Sequence, residues 1–128
     1  MTRGDKLQVL IVDDYPDAGD SLALLLRCWG CQVHVARDGP GALAAVRRFQ
    51  PDVVLLELRL KGMDGFTLAR RLREERSDGL QLVAVTGQGD EATRRRAAEH
   101  GFALFLVKPG DLEQLHALLN RRNHLCTA

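Results

Sequence analysis

What the chain lacks narrows it quickly. It has three cysteines, Cys28, Cys31 and Cys126, an odd count that argues against a disulfide framework and for a reducing compartment. It has no long apolar run: Leu22 to Leu26 and Val53 to Leu56 fall far short of the roughly 20 residues that span a bilayer. It has no excess of one charge, with 18 basic and 17 acidic side chains and a formal charge of +1, so it carries no global electrostatic footprint for nucleic acid or a membrane surface. Met1 to Lys6 lead straight into an apolar stretch without the pattern of a signal peptide. The expectation is a soluble, cytoplasmic protein with no direct nucleic-acid or membrane partner. Cys28-Trp29-Gly30-Cys31 has redox spacing, but it falls at the end of a helical pattern, where no helix N-terminus lowers a thiol pKa. No second pair completes a zinc site.

What is there is an ordinary globular mixture, 45% hydrophobic and 27% charged over 128 residues, enough for one domain with a real core. There is no linker, repeat or low-complexity segment, so residues 1–128 are expected to form a single domain with its core at about 7–119. Five short apolar runs punctuate the chain: Val9 to Val12, Gln32 to Ala36, Val53 to Leu56, Leu82 to Val85 and Ala103 to Val107. Between them the period turns helical. Ala18, Leu22, Leu25, Leu26 and Trp29 share one helix face, with Asp17 expected to cap it and Gly30 to end it. Ala42, Leu43, Val46 and Phe49 form a second stripe, and Leu68, Ala69 and Leu72 a third. The fourth, from Glu91 to His100, is weak and holds Arg94-Arg95-Arg96. The fifth repeats Leu112, Leu115, Leu118 and Leu119 behind an expected cap at Asp111.

Strand and helix patterns that alternate, with strands apolar on both faces, imply an α/β fold: a parallel sheet covered by helices on each side. Five units are too few for a barrel and leave an open, doubly wound sheet. In that architecture chemistry gathers beyond the carboxyl ends of the strands. Those ends carry Asp13-Asp14, Glu57, Thr86 and Lys108-Pro109. Three crowded acids favour a divalent cation or a raised pKa, and hard oxygen donors suit Mg²⁺. Lys108 and Thr86 suit a phosphoryl group or another oxyanion. No His, Cys or Ser nucleophile stands beside a base, and His34, His100, His116 and His124 are scattered.

The segments Val9 to Asp14, Val53 to Gly65, Val85-Thr86-Gly87 and Leu106 to Pro109, in that order, resemble a response-regulator receiver domain of two-component signalling systems. The resemblance runs from about Leu7 to Leu119. It implies a flavodoxin-like (βα)5 sandwich with strand order 2-1-3-4-5. It further implies that Asp13 and Asp14 hold Mg²⁺, that the Arg59 backbone carbonyl completes the metal site, and that Thr86 and Lys108 contact the phosphoryl oxygens. Phe105 matches the aromatic switch that turns inward on activation. The implied partners are proteins, a histidine kinase, a phosphotransfer protein or a downstream effector, docking through the fourth helix, fifth strand and fifth helix.

One departure stands out. Glu57 occupies the position of the phosphate-accepting aspartate, and its extra methylene carries the carboxylate about 1.5 Å farther from the strand. A displacement of about 1 Å in an in-line attack can cost on the order of 100-fold. The expectation is a docking switch, not an enzyme, whose state is independent of phosphorylation because Glu57 supplies a permanent charge. The alternative is a receiver that still accepts phosphate at Glu57, with phosphotransfer and self-dephosphorylation, as a fragment of a larger regulator or hybrid kinase. Lys61 replaces a proline common after the metal loop, and Gly87-Gln88-Gly89 makes the fourth loop permissive.

Overall fold

A computed structural model of the chain describes residues 6–76, 79–87, 89–108 and 112–122. Gln88, Pro109, the cap expected at Asp111, His124 and Cys126 lie outside the described residues. Strands β1 (Gln8–Val12), β2 (Gln32–Ala36), β3 (Val53–Glu57), β4 (Gln81–Thr86) and β5 (Leu104–Val107) alternate with helices α1 (Pro16–Cys28), α2 (Gly39–Phe49), α3 (Gly65–Glu75), α4 (Glu91–Glu99) and α5 (Leu112–Arg122). The strands pair in parallel in the order β2-β1-β3-β4-β5, the order expected. A hairpin of two-residue strands, Arg59–Leu60 against Met63–Asp64, separates β3 from α3.

The parity of the strands explains why they are apolar throughout. Leu10 and Val12, Val54 and Leu56, Leu82 and Ala84, and Phe105 pack on one side with the buried faces of α2, α3 and α4. Val9 and Ile11, Val53 and Leu55, Val83 and Val85, and Leu106 pack on the other with α1 and α5. Successive side chains point to opposite faces, so a strand covered on both sides needs an apolar residue at every position.

The helix ends correct the sequence-based expectation in detail. Asp17 does not cap α1: Tyr15 holds the cap position without a side-chain bond, Pro16 opens the helix, and Asp17 sits in the first turn, where its charge complements the helix dipole. Gly30 does end α1, in the left-handed region at φ 97°. Asp38, Asp64 and Asp90 cap α2, α3 and α4 through the N–H groups of Gly41, Thr67 and Thr93. Their caps went unread because an aspartate before a helix looks like any loop acid. In α1 the buried face is centred on Gly19, Ala23 and Leu26, with Leu24 65% exposed, and Leu112 at the start of α5 is 41% exposed. Cys28 is exposed and Cys31 buried, both as free thiols, and burial pushes the Cys31 thiol up to about 11.

Candidate functional site

The parallel register brings the predicted residues to one edge. Glu57 is the last residue of β3 and pairs in register with Val85, one short of Thr86 at the end of β4. The Asp13 N–H extends the β1 ladder to the Ala36 carbonyl at 3.0 Å, and the Lys108 N–H reaches the Thr86 carbonyl at 2.8 Å. Neighbouring parallel strands lie about 4.8 Å apart, so Asp13 and Glu57, at the ends of adjacent strands, cannot avoid one another.

Lys108 resolves that crowding. Its Nζ donates to Asp13 Oδ2 at 2.6 Å and lies 2.9 Å from Glu57 Oε1. The side chains of Asp13 and Glu57 are only 7% and 10% exposed, that of Lys108 28%. Burial works to lower the Lys108 pKa. Hydrogen bonds to Asp13 and Glu57, with the charges of both carboxylates, outweigh it, and the ammonium is held above its ordinary value. The remaining oxygens meet backbone donors: Asp13 Oδ1 accepts from the Tyr15 N–H at 2.9 Å, and Glu57 Oε2 from the Arg59 N–H at 3.0 Å. Asp14 faces elsewhere, its Oδ2 accepting from the Lys61 N–H at 3.0 Å. No sequence signal announces these backbone donors, because every non-proline residue carries one.

Thr86 is buried at the same edge, and Phe105 is buried beneath α4, the Arg94 guanidinium lying 4.7 Å from its ring centroid. Arg96 lies over Phe66 at 4.1 Å and 3.7 Å from Asp64. Two of the three consecutive arginines of α4 therefore rest on aromatic faces of the domain itself. Among the described residues no ion pair joins Glu91 to Arg95, one helical turn on. The hairpin after β3 folds tightly: a Cβ on Gly65 would stand 2.6 Å from Leu58 Cα and 2.7 Å from its carbonyl oxygen, so only glycine lets α3 start there. A cavity of about 270 Å³ runs between α1 and α5, walled by Leu22, Leu25, Leu106 and Leu115 and by Asp13 and Lys108. Among the described residues no helix is long and apolar enough to cross a membrane.

The model of the response regulator receiver domain matches residues 9–120. The chain belongs to that family. Among curated proteins the receiver is 36% identical over 115 residues to the DNA-binding response regulator MtrA of Mycolicibacterium smegmatis, covering 90% of this chain and 50% of that one. It is 32% identical over 123 residues to the DNA-binding dual master transcriptional regulator RpaA of Synechocystis, covering 92% and 51%. The chain spans about half the length of these curated relatives. Among solved structures it resembles the non-phosphorylated HemR receiver domain of Leptospira biflexa, with a TM-score of 0.79, 29% identity and coverage of 96% and 98%. A two-component response regulator from Clostridium difficile superposes with a TM-score of 0.83 at 25% identity, covering 91% and 94%. Membership places the chain among signalling proteins rather than enzymes.

Receiver domains generally bind Mg²⁺ at their phosphorylation site. In kind, the acids of this receiver suit a hard cation. In arrangement, no three His, Cys, Asp or Glu side chains converge among the described residues, and an ion that takes one or two carboxylates and several waters would meet Asp13 and Glu57 there. Of the set expected from sequence, Asp13, Asp14 and Glu57 with Arg59, the structure brings Asp13 and Glu57 together. An ammonium stands between the first and third acids, the second is turned to the hairpin, and Arg59 meets Glu57 through its N–H.

Proposed function

We propose that Glu57 stands at the phosphoacceptor position of a receiver occupying about residues 7–119, and that this receiver works as a protein-docking switch set without phosphorylation. The observation that carries the proposal is the bridge from Lys108 to Glu57 at 2.9 Å and to Asp13 at 2.6 Å. The longer acid already engages the lysine that a phosphoryl group would engage, and it does so with one permanent charge against the roughly −1.5 to −2 of a phosphoryl group. Thr86 and Phe105 are both turned into the domain, the disposition that belongs to an occupied site if these residues serve as the switch.

The partners proposed are proteins, a kinase, a phosphotransfer protein or an effector, on the face formed by α4, β5 and α5. Arg94, exposed on α4 and lying over Phe105 of β5, gives that face positive charge. The relatives named as DNA-binding are about twice as long as this chain, and for the receiver itself a formal charge of +1 favours protein contacts over nucleic acid.

Intact mass after incubation with Mg²⁺ and acetyl phosphate, on the native chain and on Glu57→Asp, tests the proposal. A phosphoryl adduct of about 80 Da on the aspartate variant alone is the expected result. An adduct on the native chain, abolished in Glu57→Gln, would make Glu57 a working phosphoacceptor and overturn it.

A further inference from the structure

We infer that Lys108 is the resident cation of this rim, taking the place between Asp13 and Glu57 that a divalent ion would need, so that the fold and charge balance of the site do not depend on Mg²⁺. The inference rests on the placement of Glu57 given above, but not on whether Glu57 accepts phosphate.

Three features converge on it. The first is position. Asp13 and Glu57 close adjacent strands, so a positive group has to lie between them, and the flexible four-carbon stem of Lys108 brings one there from the edge strand β5. The second is saturation. All four oxygens of the two acids already accept, from Lys108 twice and from the Tyr15 and Arg59 N–H groups once each. Mg²⁺ asks for near-octahedral oxygen ligands at about 2.0–2.1 Å and sheds water reluctantly. It would enter only by forcing the ammonium out of two short ion pairs. The third is that the neighbouring acid is turned away. Asp14 accepts from the Lys61 N–H at the hairpin, so it adds no further charge between Asp13 and Glu57.

The charges agree. Asp13 and Glu57 carry two negative charges and Lys108 returns one, leaving the buried triad at −1. Removing Lys108 restores the full charge of both acids in a nearly solvent-free position, where one partner of a broken ion pair is strongly destabilising. That vacancy is what a divalent cation would then fill.

Thermal unfolding of the native chain and of Lys108→Met, with and without 10 mM MgCl₂ at constant ionic strength and without phosphodonor, tests the inference. The native midpoint is expected to move by less than about 1 °C. Lys108→Met is expected to melt on the order of 10 °C lower, and to recover about 5 °C with Mg²⁺, the shift that a site of millimolar affinity yields at tenfold excess. A native midpoint that rises by about 5 °C and saturates would overturn the inference, as would a folded Lys108→Met that ignores Mg²⁺. Should Lys108→Met not fold, loss of the free Mn²⁺ electron-spin-resonance signal on titration of the native chain decides the matter: near-stoichiometric uptake below 1 mM refutes the inference, and an undiminished signal upholds it. None of these readouts measures phosphorylation, so a phosphoaccepting Glu57 and a metal-binding rim would show as separate failures.

Discussion

Strand β3 is bracketed by two buried acids, and the contrast between them separates a carboxylate tied to a backbone donor from one that shares an ammonium with a second acid. Asp52, just before the strand, is 7% exposed, and Glu57, at its end, 8%. Asp52 is knitted into its neighbours. Its carboxylate accepts from the Gln8 N–H at 2.9 Å, its own N–H donates to Gln8 and its carbonyl accepts from Gln81. Arg122 stands 4.0 Å away. Glu57 faces a second buried acid and shares one ammonium with it. Burial is the same at both ends. What differs is that the carboxyl edge of the sheet sets Glu57 beside a second buried acid on one ammonium, while at the amino edge the Asp52 carboxylate meets the Gln8 N–H, with Arg122 farther off. Crowded charge, rather than a buried charge as such, marks the site.

The contrast can be broken in several ways. The largest effect is expected from the basic partners. Lys108→Met should cost about 3 kcal/mol, the lower end of the range for breaking a buried pair because the lysine is partly exposed. Arg122→Met, which removes a longer and looser pair, should cost less than about 1 kcal/mol. Urea unfolding would show this, and equal losses would erase the distinction between the two edges. Next come the acids. Asp52→Ala should cost about 1–3 kcal/mol by leaving the Gln8 N–H buried without its acceptor. Glu57→Gln should stay within about 1 kcal/mol, since the lost ion pair is offset by relief of repulsion from Asp13. A greater loss from Glu57→Gln than from Asp52→Ala would mean that Glu57 is there for stability.

Alkaline titration sharpens the same comparison. The Lys108 pKa is raised on folding, so its stabilisation is whole below the ordinary lysine value of 10.5 and is lost as pH climbs through the folded value. At the far edge Cys31, just before β2, has a thiol raised from 9.0 to about 11. The unfolded thiolate forms first, and stability falls between those values. Two alkaline steps are therefore expected in the midpoint of urea unfolding, the first absent in Cys31→Ala and the second in Lys108→Met. The smallest expected effect is chemical. Of this pair of cysteines, a maleimide followed by peptide mapping should label the exposed Cys28 in the native chain, and Cys31 only after unfolding.

Much of this was legible beforehand for a physical reason. The period of each element, the continuously apolar strands and the polar residue after each strand are local properties, and together they imply a doubly wound parallel sheet with its chemistry at the carboxyl edge. Asp13, Glu57, Thr86 and Lys108 could be named because each follows an apolar run. Helix ends were less legible. Asp17 looked like a cap and was not, because Pro16 and Tyr15 set the start of α1, while Asp38, Asp64 and Asp90 cap helices that ordinary loop acids gave no sign of opening. Leu112 belongs to the same leucine stripe as Leu115, Leu118 and Leu119, yet at the start of α5 it stays 41% exposed while those three are buried.

By itself, then, the order of residues determined the class of fold and which charged residues the carboxyl edge of its sheet gathers, because these follow from patterning within each element. Tertiary structure alone decided how the charges are shared. Lys108 lies 95 residues from Asp13, the donors that finish Asp13, Asp14 and Glu57 are backbone N–H groups, and Arg94 and Arg96 turn onto Phe105 and Phe66. Such contacts depend on where separate elements are brought to rest, which no local pattern encodes.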